Sequence, residues 1–369
     1  MRIVSLQLEQ FRSYVRQTVL LSDRDVQLFI GPNGSGKTNL LEAMSVLSLG
    51  KSCRGKEEGD LVHWGRSFYR LRAEIRSDVG ERSRIEVLSE ITPRRRKAAF
   101  LNDVRIPLTD AIGTVPVVIF LPQDLELFSG APADRRRFLD QLLSQADQSY
   151  VPAFAAYQKV LKQRGALLRQ IADGRYPPSA LNVWDRELAE KGAPLTLARL
   201  ELLAALDLSF AAEMAGLGET WGEATLCPVR KTTGRNLEDL KRELLELLLH
   251  ARQRDIALQS TTVGPHREDW HILCDGRPLS TFASRGQERV AVVALLLLEV
   301  SYLQLRRRER PVILLDDVFS ELDDAHQSAL LHRLTDCQVL MTAVRAPAHV
   351  EEATVWRMRD GEWMVDHDQ

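Results

Sequence analysis

The run Gly31-Pro32-Asn33-Gly34-Ser35-Gly36-Lys37-Thr38 constrains the fold of this chain more than any other stretch. It fits G-x-x-x-x-G-K-[ST]. It follows the short apolar run Val26-Gln27-Leu28-Phe29-Ile30 and opens a segment in which Leu40, Met44 and Leu47 share one helical face. A strand that enters a glycine-rich turn and leaves as a helix belongs to an α/β sheet. The glycines leave backbone N–H groups free to wrap phosphates, and the helix N-terminus favours the anion. Lys37 is then expected to reach the β- and γ-phosphates, and the Thr38 hydroxyl to ligate Mg²⁺. ATP and Mg²⁺ are the ligands implied.

A second strand carries the complementary charge. Val312-Ile313-Leu314-Leu315-Asp316-Asp317 is apolar until it ends in two carboxylates. In a parallel sheet the ligand site lies at the carboxyl ends of the strands. Asp316 is expected to hold Mg²⁺ through water, and Asp317 to polarise the attacking water. Taken alone, the segment reads equally well as a strand followed by an acidic turn. About 30 residues earlier, Phe282-Ala283-Ser284-Arg285-Gly286-Gln287 precedes the apolar run Val290 to Val300. Ser284 and Gln287 have the spacing of a capping box. The geometry that caps a helix also presents donors to an anion.

The rest of the chain is organised around these pieces. Strand-like alternation covers Ile3 to Leu21 and recurs between Tyr69 and Leu121. From Asp134 to about Leu258 the texture is amphipathic helix, over Asp134 to Ile171, Pro194 to Ala215 and Leu237 to Leu258. Linkers fall at Asp173 to Pro178 and Gly216 to Gly234. Strand patterning returns at Trp270 to Leu273 and at Val339 to Met341. The expected fold is therefore an α/β ATPase head split by a helical insertion. Residues 1–125 and 259–369 would form the head and 126–258 the arm. No run reaches the ~18 apolar residues needed to cross a membrane, and Met1-Arg2-Ile3-Val4 has no signal-peptide pattern, so a cytoplasmic protein with no membrane partner is expected. Cys53, Cys227, Cys274 and Cys337 form no C-x-x-C pair, and neither Cys nor His completes a ligand set beside His266 and His271. With a formal net charge of −2, nucleic-acid binding would need a local basic patch.

The order of phosphate loop, helical insertion, S-x-G-Q segment and D-D strand resembles the ABC-type ATPase heads of the SMC and RecF proteins. Further stretches are similar to the RecF family in particular. These are Phe11-Arg12-Ser13-Tyr14, Lys51-Ser52-Cys53-Arg54-Gly55, Pro122 to Asp140, Gly264-Pro265-His266-Arg267 and Ser320-Glu321-Leu322-Asp323. The resemblance implies that Arg12 joins the nucleotide site. It implies that Gln123 occupies the Q-loop position as a catalytic and Mg²⁺-binding residue, where the RecF pattern often has an acidic one. It further implies that Ser284, Arg285, Gly286 and Gln287 form a signature acting on the nucleotide of a second subunit. Ser320 and Asp323 would lie in a D-loop. Ala343 stands where ABC ATPases usually carry His, and Asp317 where many relatives have Glu. Those departures imply a slow ATPase used as a switch. By resemblance, ATP would join two subunits into a homodimer on duplex or single/double-strand junction DNA, help load recombinase, and act with RecR and RecO as partners.

Two basic clusters are candidates for DNA contact: Lys51, Arg54 and Lys56, and Arg94-Arg95-Arg96-Lys97. Each reads equally as a solvated, charge-blunted edge. Arg135 to Arg137 sit between Asp134 and Asp140, the pattern of a salt-bridged helix face. Other functions fit less well. An SMC-type tether needs long coiled coils, and an insertion of about 125 residues broken by Gly and Pro is too short. A transporter subunit would carry the switch His and a smaller insertion. A nuclease would need a second acidic metal cluster. A binding module that uses ATP only structurally is the remaining alternative.

Overall fold

The structure, a computed structural model, describes all residues except positions 56, 220, 222, 347–349, 351–352, 360 and 367–369, and the side chain of Glu321. Lys56, named above as a DNA-contact candidate, lies outside the described residues. Along the chain, β1 (Arg2–Phe11) and β2 (Tyr14–Leu20) form a hairpin, and β3 (Val26–Ile30) leads into α1 (Lys37–Leu49). The single turn α2 (Glu58–Leu61) precedes β4 (Phe68–Arg76), β5 (Arg82–Glu90), β6 (Arg96–Leu101), β7 (Val104–Ile106), α3 (Leu108–Ala111) and β8 (Val117–Phe120). There follow α4 (Pro132–Ala146), α5 (Tyr150–Ala172), α6 (Leu181–Gly216), β9 (Ala224–Val229), α7 (Leu237–Leu258), β10 (Asp269–Cys274), β11 (Arg277–Pro278) and α8 (Leu279–Phe282). The last stretch holds α9 (Arg285–Arg307), β12 (Val312–Asp316), α10 (Asp324–Arg333), β13 (Val339–Ala343), β14 (Ala353–Arg359) and β15 (Glu362–Val365). Among the described residues no helix is long and apolar enough to cross a membrane.

Two compact units result. The first combines Met1–Glu126, Glu213–Thr220 and Ser284–Gln369; the second combines Leu127–Ala212 and Trp221–Ala283. Among the described residues the first unit has two six-stranded sheets, β2-β1-β4-β5-β6-β7 and β15-β14-β3-β13-β12-β8. The former is antiparallel throughout. In the latter, β14, β3, β13, β12 and β8 run parallel and only β15 is antiparallel. One core joins Leu6, Leu8 and Ile85 of the antiparallel sheet, Phe29, Leu314 and Leu340 of the parallel one, and Leu40, Leu41, Met44 and Leu47 of α1. A helix flanked by sheets on both sides has no solvent face, so α1 is buried nearly all round, whereas its sequence suggested one apolar face. Every residue of β12 is buried, as its unbroken apolar run requires.

The second unit is helical but not wholly so. Its strands β11-β10-β9 form a small antiparallel sheet, with β9 inside the stretch expected to be a linker. Trp270 of β10 is buried there. Its indole N–H donates to the Arg135 carbonyl (3.0 Å), and its ring meets those of Phe128 and Phe138. This packing corrects the expected boundary: residues 259–283 belong with the second unit, and the head resumes only at Ser284. Residues Glu213–Thr220 pass the other way, into the first unit. The helical runs also shift. The segment Asp134 to Ile171 is two helices, broken at Asp147–Ser149, where the Asp147 carboxylate caps the backbone and hydroxyl of Ser149. Helix α6 starts at Leu181 and runs through Pro194, because Leu188, Ala189, Ala193 and Leu195 are all buried and their packing outweighs the lost backbone donor. Helix α7 keeps the expected bounds, with the Asn236 side chain accepting from the Asp239 N–H.

Glu299 of α9 is buried in the first unit. Burial, and then the charge of Asp124, push its carboxyl up to about 8. Near neutrality the folded state therefore holds a proton that the unfolded chain releases. Stability attributable to this site is present below about pH 4.5 and is lost as pH rises to about 8. Glu299→Gln, which is neutral throughout, is expected to raise the melting temperature at pH about 8 and leave it near wild type at pH about 4.5. Thermal denaturation at the two pH values checks this; an equal shift at both would remove the titration as its cause.

Candidate nucleotide site

The parallel register gathers the site at one edge. Ile30 at the end of β3 lies opposite Ala343 of β13, and Asp316 at the end of β12 lies opposite Thr342. The Gly31 N–H donates to the Ala343 carbonyl (3.3 Å), which ties the start of the loop to the sheet. Gly34 and Gly36 adopt positive φ, and Gly36 is the N-cap of α1. A side chain at Gly36 would meet the Tyr14 hydroxyl at 2.7 Å, so glycine is required there twice over. That hydroxyl donates to the Gly36 carbonyl (2.9 Å) and accepts from the Trp363 indole (2.8 Å); burial pushes it up to about 12. Pro32 and Asn33 complete the loop.

Lys37 folds back over the loop. Its Nζ donates to the carbonyls of Gly31 (2.6 Å) and Pro32 (3.0 Å), and its side chain is buried. Burial lowers its pKa, while Asp317 and then Asp316 oppose that shift. Thr38 Oγ1 donates to Asp316 Oδ2 (2.9 Å) and Oδ1 (3.0 Å), and Thr342 Oγ1 donates to Asp316 Oδ1 (2.7 Å). Asp317 adopts the left-handed conformation. Its N–H donates to Thr342 Oγ1 (3.0 Å), and its carbonyl accepts from Ser320 Oγ (2.7 Å). The Ser35 hydroxyl is buried in the loop with no hydrogen-bond partner among the described residues.

Arg12 and Gln123 make no bond to the loop or to Asp316 among the described residues. The Arg12 guanidinium makes a fork onto the buried Glu42 (2.7 Å to each oxygen) and donates to the Asp60 carbonyl (2.7 Å), while Ser52 donates to the same Glu42. Arg12 thus clamps α1 and α2 to the β1–β2 turn, and none of these bonds reaches the phosphate loop. With Ser13, Asn39, His63, Trp64 and Arg66 it lines an open basin of about 700 Å³, in which Trp64 is 95% exposed. Gln123 is exposed on the single turn Pro122–Glu126, and the bonds that build the Thr38–Asp316–Thr342 cluster do not include it. Asp124 beside it caps the Leu121 N–H (2.8 Å). Its charge, with those of Glu42 and Asp316, acts on Cys53, whose thiol burial pushes up to about 11. Asp124 is thus the acidic residue next to Gln123, one position after it.

Ser284 caps α9 through the full expected box. Its Oγ accepts from the Gln287 N–H (3.2 Å), and its own N–H donates to Gln287 Oε1 (3.0 Å), with Arg285 and Gly286 in the first turn. Asp323 caps α10 by accepting from the His326 N–H (2.9 Å). Of the basic residues, Arg94, Arg95, Arg96, Lys51 and Arg54 are exposed. Lys97 is not a free cation: it donates to the Gly50 carbonyl (2.8 Å) and pairs with Glu58, which ties β6 to α2 and removes it from the DNA candidates. Arg135 is buried too, in a fork onto Asp269 (2.8 Å). Thr342, Asp124, Glu42 and Trp64 escaped the motif reading. Only Asp124 had a signal, being the acidic neighbour of the Q-loop position.

A strand–loop–helix phosphate cradle, an acid at the end of a parallel strand one place removed in the same sheet and a serine-capped helix following a helical lobe define an ABC-type P-loop ATPase head. A family model described as the RecF/RecN/SMC N terminal domain matches residues 2–362. The chain is 34% identical to the DNA replication and repair protein RecF of Heliobacterium modesticaldum, covering 98% of each chain. It is 36% identical to that of Moorella thermoacetica, covering 96% of this chain and 94% of the relative. This chain belongs to the RecF family. It superimposes on a solved recombination mediator protein, RecF-ATP of the RecFOR pathway, with a TM-score of 0.90 at 30% identity, covering 99% of this chain and 96% of that one. An SMC head aligns with a TM-score of 0.56 at 17% identity, a likeness of fold alone.

Proposed function

We propose that this chain is an ATP-dependent DNA-binding protein of recombinational repair and replication, in which Mg²⁺-ATP joins two heads on duplex or junction DNA. The observation that carries this reading is the loop itself. A buried ammonium rests on the loop's own carbonyls, beside a buried, unpartnered Ser35 hydroxyl and backbone donors at the start of a helix. Such a cradle suits a polyphosphate, which would draw Lys37 off Gly31 and Pro32. Thr38 and Asp316 offer a hydroxyl and a carboxylate, hard oxygen donors that fit Mg²⁺, with phosphate and water supplying the rest. Mg²⁺ would neutralise charge on the phosphates. Thr342 orients Asp316 and fixes the backbone of Asp317, whose carboxylate would polarise the attacking water. Trp64, exposed beside Asn39 and Ser13, offers a face for the base. With Ala343 in place of a histidine, turnover would be slow and hydrolysis would serve release.

Ser284 would act on the partner's nucleotide, with Ser320 and Asp323 beside the crossing. The exposed Arg94, Arg95, Arg96, Lys51 and Arg54 remain the DNA candidates, and RecR and RecO the partners in loading recombinase. Ser284→Arg places a long cation at the helix start where the second nucleotide would dock. Light scattering with and without Mg²⁺-ATP, followed by duplex binding, is expected to show a dimer and tighter DNA binding for wild type only. Wild type and Ser284→Arg both staying monomeric while still binding ATP would rule out the ATP-joined dimer.

A further inference from the structure

We infer that Glu219 is a positioning residue for the signature segment, holding Gln287 and through it Ser284. This rests on the reading of Ser284 as a group that acts in trans. Gln287 is used at three points. Its N–H is capped by Ser284 Oγ (3.2 Å), its Oε1 accepts from the Ser284 N–H (3.0 Å), and its Nε2 donates to Glu219 Oε2 (3.3 Å). The first two bonds lie within one turn of helix and would form in any capping box. The third comes from far along the chain and fixes the rotation of the amide. With its NH₂ on a carboxylate, the amide presents its oxygen to Ser284 and cannot flip.

Glu219 is itself held firmly. It follows the end of α6, where Gly218 has φ +92°, the Gly218 N–H donates to the Ala215 carbonyl (3.0 Å) and the Glu219 N–H donates to the Met214 carbonyl (3.0 Å). That pair of bonds is a Schellman motif, and its left-handed residue needs glycine. Two further contacts seat the segment in the first unit: Glu213 pairs with Arg333 of α10 (2.7 Å), and Met214 and Leu217 are buried. The end of α6 is thus anchored both to the helix that follows the Ser320 turn and to the N-terminus of the signature helix. Within the first unit, the segment Glu213–Thr220 thereby sets the orientation of the serine cap.

Glu219→Ala is expected to weaken ATP-dependent dimerisation about fivefold, the effect of one side-chain hydrogen bond, with ATP affinity of the monomer unchanged. Glu219→Gln, whose carbonyl still accepts from Gln287, restores dimerisation. The companion measurement is hydrogen exchange of the wild-type and variant proteins without nucleotide. Amides of the first turn of α9 should exchange faster in Glu219→Ala and at the wild-type rate in Glu219→Gln. Unchanged exchange together with wild-type dimerisation overturns the positioning role. Faster exchange in a protein whose wild type never dimerises with ATP would keep Glu219 as the anchor of this turn and overturn the trans role of Ser284 instead.

Discussion

Lys37→Ala leaves the fold intact and weakens ATP binding on the order of a hundredfold, since each charge-assisted bond to phosphate contributes roughly 1.5–3 kcal/mol. The fold survives because the two bonds that Lys37 makes, to Gly31 and Pro32, are to carbonyls of a loop already tied to the sheet at Ala343 and to Tyr14 at Gly36. Removing the ammonium also removes a buried charge, so stability should hold or rise slightly. Tryptophan fluorescence or calorimetric titration with ATP measures the loss, and circular dichroism checks the fold. An unchanged affinity would mean that the backbone cradle and Mg²⁺ carry the phosphate unaided. Lys37→Arg should recover little, because a planar fork does not fit where a compact ammonium lies between two carbonyls of one turn.

Arg164→Leu has the largest expected effect on stability. Arg164, Asp185 and Asp255 are fully buried in the second unit. Nε of Arg164 donates to Asp185 (2.8 Å), and its NH1 donates to Asp255 (2.8 Å) and Thr261 (2.8 Å). Arg252 completes Asp185 (2.7 Å), and the Thr262 N–H and hydroxyl complete Asp255 (2.9 and 2.7 Å). The network ties α5, α6 and α7 to the loop after α7. Leucine in place of Arg164 leaves two buried carboxylates short of their shared cation, at a cost of roughly 3–5 kcal/mol. Urea unfolding measures it. Replacing Asp255 by Leu along with Arg164 should recover part of the loss, because removing both members of a buried pair costs less than stranding one. A loss under about 1 kcal/mol for Arg164→Leu would place the network among weak, solvated pairs.

What the chain itself determined is what depends on neighbours a few residues apart. The phosphate loop, the Ser284–Gln287 box and the Asn236 cap of α7 are patterns of i to i+3 or of consecutive backbone groups, and they fold as their spacing dictates. The buried strand Val312–Asp316 was legible because only a central parallel strand is apolar on both faces. Pairing across distance is what the tertiary structure decided. Thr342 joins Thr38 on the Asp316 carboxylate only because β13 lies between β3 and β12. Arg12 turns to Glu42, and Lys97 to Glu58 and Gly50, because a buried carboxylate or carbonyl claims the nearest cation whatever motif that cation resembles. Residues 259–283 pack with the helices because Trp270 is covered there, and strand patterning says that a segment is a strand without saying which sheet receives it. Local geometry is encoded in short spacings, whereas the choice among distant partners is made by burial, which no short window of sequence contains.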